Sequence, residues 1–466
     1  MLSEDILYLP VRELGKRLRT KQISPVELTE SYLARSEKVG TQLNAYATLT
    51  RELALEQARA AEKEIAGGRV RGPLHGIPYA AKDLLAVKGY PTTWGAKPYA
   101  EQKFDFNAAV IERLDRAGAI LIGKAAMIEL AGGMNYRFAA ASLTGPAKNP
   151  WNPACWTCGS SSGSGAIAAA ALAAFAIGTE TWGSILCPAG YCGVTGLRPT
   201  FGRVSRYGAM ALAYSQDKIG PMGRTADDCA MILSAIAGHD PMDRGSLPPA
   251  EAAFAYPSPL AMPLRIGWLT NAWKKIEPEI ETATKEAIEK LKRRGAKVSD
   301  AQLPEGPYEA AAGTIVAVEA GAAFRNLIES GRVAELADPL GQINGYVYEQ
   351  IAASDYMLAL RIRGVCQRKI DELFDDYDVL AAPTLPIAAT PLETNLEKDL
   401  NFPDPVGGIG NLCGLPAVSL PCGFTSAKLP IGLQFMAGAR NDRAVVAAAN
   451  LFQQSTDWHL KRPSIS

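Results

Sequence analysis

Apolar and polar positions change their spacing along this chain, and the changes separate its elements. In the first 70 residues the pattern is helical. Ser24-Pro25-Val26-Glu27 supplies a capping serine, a proline at the first helical position and the glutamate of a capping box. Residues 53–65 are rich in Ala and Glu and read as a second helix. The central stretch reads differently. Residues 75–79 enter a strand from a tight turn. Ala119-Ile120-Leu121-Ile122-Gly123 is an apolar run ended by glycine, as in a strand covered on both faces. Residues 164–177 read as one Gly/Ala helix able to pack very closely on a sheet, and residues 193–197 as another strand. From Leu264 a second unit begins: strand 265–269, amphipathic helix 277–294 ended by Gly295, and a strand from Lys297. Residues 305–370 are mostly helical. Residues 378–382 form a buried strand stopped by Pro383, residues 386–410 a long loop rich in Pro, Gly and Asn. Strands at 418–420 and 432–435 precede a closing helix, 443–453. Strands alternating with helices predict an α/β layered sheet.

Composition narrows the function. The 466 residues are 48% apolar, ample for a large core, and the 48 Lys and Arg balance the 48 Asp and Glu. That balance argues against nucleic-acid binding by bulk charge. The basic run at 290–294 falls on a helix and reads as a solvated face. Residues 1–10 lack the basic and apolar regions of a signal peptide, and the apolar run 166–177 is short for a bilayer crossing. A cytoplasmic protein without a membrane segment is expected. Cys155-x-x-Cys158 with Cys187 and Cys192 loosely resembles zinc-ribbon spacing, but the second pair encloses four residues and no Cys/His finger surrounds it. Reduced, buried or pocket-lining thiols are the expectation, with no metal.

Only three histidines are present, His75, His239 and His459. A Ser-His-Asp triad therefore has few bases to choose from, and no nucleophile elbow stands on a clear strand-to-helix turn. Two Ser/Gly stretches and one lysine remain. Gly159-Ser160-Ser161-Ser162-Gly163-Ser164-Gly165 opens a helix and has exposed N–H groups there; a plain helix cap fits it as well. In Thr179-Glu180-Thr181-Trp182-Gly183-Ser184-Ile185 a Gly precedes a Ser in apolar surroundings, which a simple turn also explains. In Ala80-Ala81-Lys82-Asp83 the lysine follows an apolar run, either as a buried amine or as half of a Lys82–Asp83 surface pair.

Taken together and in this order, the three elements resemble the amidase signature family. Gly76-Ile77-Pro78-Tyr79-Ala80-Ala81-Lys82-Asp83 is similar to the family's lysine motif, Cys158-Gly159-Ser160-Ser161-Ser162-Gly163-Ser164 to its Gly/Ser block, and the segment from Glu180 to Pro188 to its nucleophile block. Further likeness runs through Tyr191 to Thr200, Asp217 to Met222 and Gly414 to Pro421, so the resemblance covers nearly the whole chain. It implies an α/β fold with a central mixed, twisted sheet flanked on both faces by helices. Residues 1–70 are expected as a helical segment packing on a 71–466 domain, with a less typical region at about 264–370. The resemblance further implies Ser184 as nucleophile, Ser160 as a proton relay held by a non-proline cis peptide, and Lys82 as base. The N–H groups of Thr181, Trp182, Gly183 and Ser184 would form the oxyanion hole. No cofactor is implied. A lysine acts as base only when neutral, and burial beside a helix N-terminus favours that form.

Several positions depart from the commonest family wording. Trp182 stands for a Gly, Leu186 for a frequent Arg, Cys158 and Ser162 each for a Gly, and Glu180 for an Asp. Leu186 is expected to leave the nucleophile without a charge behind it. Trp182, Leu186, Gly132, Gly133 and Met134 are expected to shape the substrate pocket. The expected activity is hydrolysis of a small-molecule aryl or alkyl amide, with carbamate or ester as variants, by a monomer or homodimer. The alternative branch is the glutaminase A subunit of glutamyl-tRNA(Gln) amidotransferase, for which Asp404 is the candidate acid to grip glutamine's amino group. A catalytically inactive scaffold is the remaining class.

Overall fold

The computed structural model describes residues 1–257, 263–400 and 402–465. Eleven strands form one mixed sheet: β1 (Tyr46–Leu49), β2 (Pro78–Lys82), β3 (Ile120–Ala125), β6 (Phe175–Glu180), β7 (Thr195–Arg198), β8 (Lys218–Gly223), β9 (Arg265–Leu269), β10 (Lys297–Ala301), β11 (Val379–Pro383), β12 (Ala417–Phe424) and β13 (Pro430–Met436). A separate hairpin pairs β4 (Lys148–Asn149) with β5 (Asn152–Trp156). The order across the sheet is β1-β3-β2-β6-β8-β7-β12-β13-β11-β9-β10. Strands β3, β2 and β6 run parallel, as do β11, β9 and β10, while the strands between them are antiparallel.

The strands around the centre, β2, β3, β6, β8 and β13, are buried at every position. That is why they are largely apolar on both faces rather than alternating, with Lys82, Lys124, Glu180 and Lys218 among the buried polar exceptions. The unit starting at Leu264 is not separate, because β9 joins the same sheet beside β11. The N-terminal helix is capped as its sequence predicts: Ser24 Oγ accepts from Glu27 N at 3.0 Å, opening the helix Pro25–Arg35.

Three expectations need correction. The first 70 residues are not all helical, since Tyr46–Leu49 forms the edge strand β1 against β3. A strand of four half-buried residues carries too little pattern to stand out between helices. The helix expected over 164–177 is Ser162–Ala169, and Phe175–Glu180 is the central strand β6. Alanine is at home in helices and in buried strands alike, so composition could not divide the run. The loop at 386–410 ends in a helix, Pro405–Leu412, capped by Asp404, whose Oδ1 accepts from Gly407 N at 2.9 Å.

Close approach of the Ser162–Ala169 helix is real. A Cβ at Gly163 would lie 2.4 Å from Ala45 O and 2.6 Å from Ala126 N. Only glycine lets this helix rest on the ends of β1 and β3, and its first turn is thereby pinned beside Lys82.

Candidate active site

Parallel β2 and β6 are neighbours, and in such sheets ligands gather beyond the strands' carboxyl ends. Lys82 is the last residue of β2, and Glu180 the last of β6. Ser160 lies in the turn before the Ser162–Ala169 helix, after a cis Gly159–Ser160 peptide, and Ser184 in the turn between β6 and the helix Leu186–Cys192. Topology thus brings three segments, the end of β2, the turn at Ser160 and the turn after β6, to one point.

The three groups picked out in the sequence form an unbroken chain. Lys82 Nζ donates to Ser160 Oγ at 2.8 Å, and Ser160 Oγ donates to Ser184 Oγ at 3.0 Å. Lys82 also donates to Ser161 Oγ and Thr179 Oγ1, each at 3.0 Å. The lysine is wholly buried, and the partners its amine reaches are hydroxyls. Burial pulls its pKa down to about 7, against the attraction of Asp217 and Glu180 further away. The alternative surface pair of Lys82 with Asp83 does not form. Asp83 instead pairs with Lys124 at 2.8 Å, both side chains fully buried.

Glu180 orders the loop that follows it. Its Oε2 accepts from Ile185 N at 2.9 Å and Leu186 N at 3.0 Å, and its Oε1 from Arg198 Nη1 at 2.7 Å. Burial works to raise the pKa of this carboxyl, but Arg198, Lys218 and the backbone donors hold it below its usual range. Arg198, in β7, thus reaches the loop after β6 through its ion pair with Glu180. The N–H groups of Trp182, Gly183 and Ser184 meet no hydrogen-bond acceptor among the described residues. Backbone donors left without a protein acceptor beside Ser184 suit a developing anion.

The Lys82–Ser160–Ser184 chain contains no histidine: His75 lies 3.4 Å from Glu64, and His239 Nδ1 contacts Leu247 O. Trp182 stays at the site, its Nε1 donating to Asp404 Oδ2 at 2.9 Å. Burial pushes the Asp404 carboxyl up to about 6. Leu186 packs behind the loop with Tyr308, Ile409 and Leu412.

The segment expected to shape the pocket behaves unevenly. Met134 is a core side chain, and Gly133 lies against Leu212 and Phe324. Tyr136 is the residue of this segment that reaches the serine turn: a Cβ on Gly159 would lie 2.9 Å from its hydroxyl. A cavity of about 570 Å³ opens instead on the other side, walled by Thr179, Thr181, Ala131, Met210, Leu212 and Ile219. None of Gly132, Gly133, Met134, Trp182 and Leu186 lines it. Three of its charged groups have protein partners: Asp217 accepts from Thr181 Oγ1 and from Leu212 N and Ala213 N, and Arg206 is paired with Asp243, while Arg244, exposed at the same wall, has no ion pair among the described residues. Sequence reasoning missed Ser161, Thr179, Glu180 and Arg198 as supporting groups. The hydroxyl-rich runs around Ser160 and Thr179 were the trace of the two hydroxyls, and the family-like segments at Glu180 and at Tyr191 to Thr200 held the ion pair without marking its role.

No helix among the described residues is long and apolar enough to cross a membrane. The Amidase family model matches residues 27–446. Curated relatives include the A subunit of glutamyl-tRNA(Gln) amidotransferase from Moorella thermoacetica, 37% identical over 99% of both chains, and its counterpart from Chloroflexus aggregans, 36% identical with the same coverage. Among solved structures, the peptide amidase of Stenotrophomonas maltophilia is 30% identical, with a TM-score of 0.85 over 98% of both chains. A 6-aminohexanoate cyclic dimer hydrolase is 26% identical, with a TM-score of 0.88 over 98% of this chain and 99% of that one. With motif order, fold and relatives in agreement, the chain belongs to the Amidase family of hydrolases acting on carbon–nitrogen bonds other than peptide bonds.

Proposed function

We propose that the protein cleaves an amide through an acyl-enzyme on Ser184, and the hydroxyl chain from Lys82 through Ser160 to Ser184 is the observation that carries this reading. Neutral Lys82 takes the Ser160 proton while Ser160 takes that of Ser184, whose oxygen attacks the carbonyl. Hydroxyl hydrogens rotate freely enough to reverse the direction in which the ground-state bonds point. The same relay run backwards protonates the leaving amine, and water then releases the acyl group. Donors from Thr181, Trp182, Gly183 and Ser184 hold the oxyanion, each strong donor contributing about 3–4 kcal/mol.

Two substrate readings have support. The cavity beside Thr179 and Thr181 has an apolar wall in which Asp217 and Arg206 already have protein partners, which supports an uncharged aryl or alkyl amide, a carbamate or an ester. The Moorella and Chloroflexus relatives, both named as the amidotransferase's A subunit, favour the glutaminase reading over a free-standing amidase. In that reading Asp404, now held by the Trp182 indole, would turn to the substrate's amino group.

A panel of aryl acetamide, aryl carbamate, aryl ester and free glutamine, tested on wild type and Ser184→Ala, separates these. Anilide or carbamate turnover that vanishes in the variant supports the free-standing reading. Glutamine turnover alone, or only once the B component of an amidotransferase is supplied, supports the second. Activity surviving in Ser184→Ala overturns the nucleophile, and failure of a fluorophosphonate to label Ser184 in folded protein points to an inactive scaffold.

A further inference from the structure

Tyr136 reaches the serine turn, yet the relay from Lys82 to Ser184 makes no use of it. Its ring is fixed from two sides. It meets Trp156 edge-on, with centroids 6.1 Å apart and planes at 79°. On the other side a Cβ built on Gly132 would lie 2.8 Å from its Cε1. Glycine at 132 makes room for the ring, and the backbone there takes a φ of +81° that glycine adopts freely. The hydroxyl end points inward. A Cβ on Gly159, a buried residue that directly precedes Ser160, would lie 2.9 Å from it. Among the described residues this hydroxyl has no hydrogen-bond partner. Polar atoms held inward normally find one, so this oxygen is left for water or a substrate. Burial pushes its pKa well above the usual range, and at neutral pH it is an uncharged phenol, able both to donate and to accept.

The side of the reaction on which it stands follows from the relay. Ser160 lies between Lys82 and Ser184, and on acylation it hands its proton to the leaving nitrogen. That nitrogen therefore comes beside Ser160, next to Gly159 and the Tyr136 hydroxyl. The cavity walled by Thr179 and Thr181 does not include Tyr136. We propose that Tyr136 is a substrate-binding residue that reads the leaving group: its phenolic oxygen accepts the N–H of the leaving nitrogen, so amides bearing an N–H are favoured over esters of the same acyl group. The inference rests on the Ser184 acyl-enzyme and decides between two substrates which that reading leaves open. As the nitrogen becomes tetrahedral its lone pair turns to Ser160, and its N–H needs another acceptor. A contact that strengthens toward the transition state raises kcat/KM. An ester oxygen carries no hydrogen and gains nothing from it.

The test uses full-length protein and three substrates with one acyl group: 4-nitroacetanilide, its N-methyl counterpart and 4-nitrophenyl acetate. Values of kcat/KM are compared for wild type, Tyr136→Phe and Ser184→Ala. Tyr136→Phe keeps the ring and its packing on Trp156 and removes only the oxygen. It is expected to lower kcat/KM for the anilide about tenfold, the worth of one hydrogen bond. The ester and the N-methyl anilide, with no N–H to give, are expected to lose nothing. A loss shared by the ester or the N-methyl anilide would make Tyr136 a structural support of the serine turn and overturn the proposal, as would an unchanged anilide rate. Turnover that survives in Ser184→Ala, or a wild type that cleaves none of the three, removes the Ser184 reading and this inference with it. A Ser184-dependent reaction whose selectivity ignores Tyr136→Phe removes this inference alone.

Discussion

Lys82 and Lys124 are both wholly buried, on adjacent parallel strands and one register position apart. That offset sends their side chains to opposite faces of the sheet, into different company. Lys124 meets the Asp83 carboxylate at 2.8 Å, with Thr92 Oγ1 at 3.0 Å and Pro91 O at 3.1 Å. Lys82 meets three hydroxyls. Burial lowers both pKa values, but around Lys124 the Asp83 charge and hydrogen bond oppose it at contact distance. The contrast teaches that burial alone does not make a base. A buried lysine with a carboxylate is a structural ion pair, whereas one held by neutral acceptors is free to give up its charge.

Replacing each lysine by an apolar residue of similar length should separate the two roles. Lys82→Met is expected to lower kcat by about 10²–10⁴-fold while shifting stability by no more than about 1–2 kcal/mol. Steady-state kinetics beside urea denaturation checks both; a collapsed fold with unchanged kcat per folded molecule would reverse the assignment. Lys124→Met strands a buried carboxylate and is expected to cost about 3–5 kcal/mol of stability. Adding Asp83→Leu should recover most of it, and a double variant no better than the single one would show that the pair is not the cause.

The pH profile sharpens the same contrast. Because the base must be neutral, kcat/KM should rise with pH through about 7 and level off above it. Lys218, donating to Asn411 Oδ1 at 2.7 Å, is also drawn down to about 7 by burial, so the midpoint alone does not name the group. Lys218→Met should leave the rising limb in place; a limb lost in that variant would move the base to β8. The smallest effect concerns Trp182. Trp182→Gly frees Asp404 and should change KM by about tenfold, in favour of amides bearing an ammonium group. An unchanged substrate ranking would remove Trp182 from the pocket.

The sequence by itself determined a good deal. The resemblance of three motifs, in their order, to the amidase signature family named Lys82, Ser160 and Ser184, whereas each motif alone left a surface pair, a helix cap or a simple turn open. Long apolar runs announced β3 and β11, whose faces are covered on both sides. Other features escaped it. An Ala-rich run hid the boundary between the Ser162–Ala169 helix and β6, since alanine suits either state. The support of Glu180 by Arg198 and the hydroxyl cage of Lys82 join residues distant in the chain. Only the stacking of β2, β6, β8 and β7 side by side brings such groups within a hydrogen bond of one another. Tertiary structure decided which lysine meets a carboxylate and which meets hydroxyls, because partner geometry in a low-dielectric interior, rather than residue type, sets where a charge can persist.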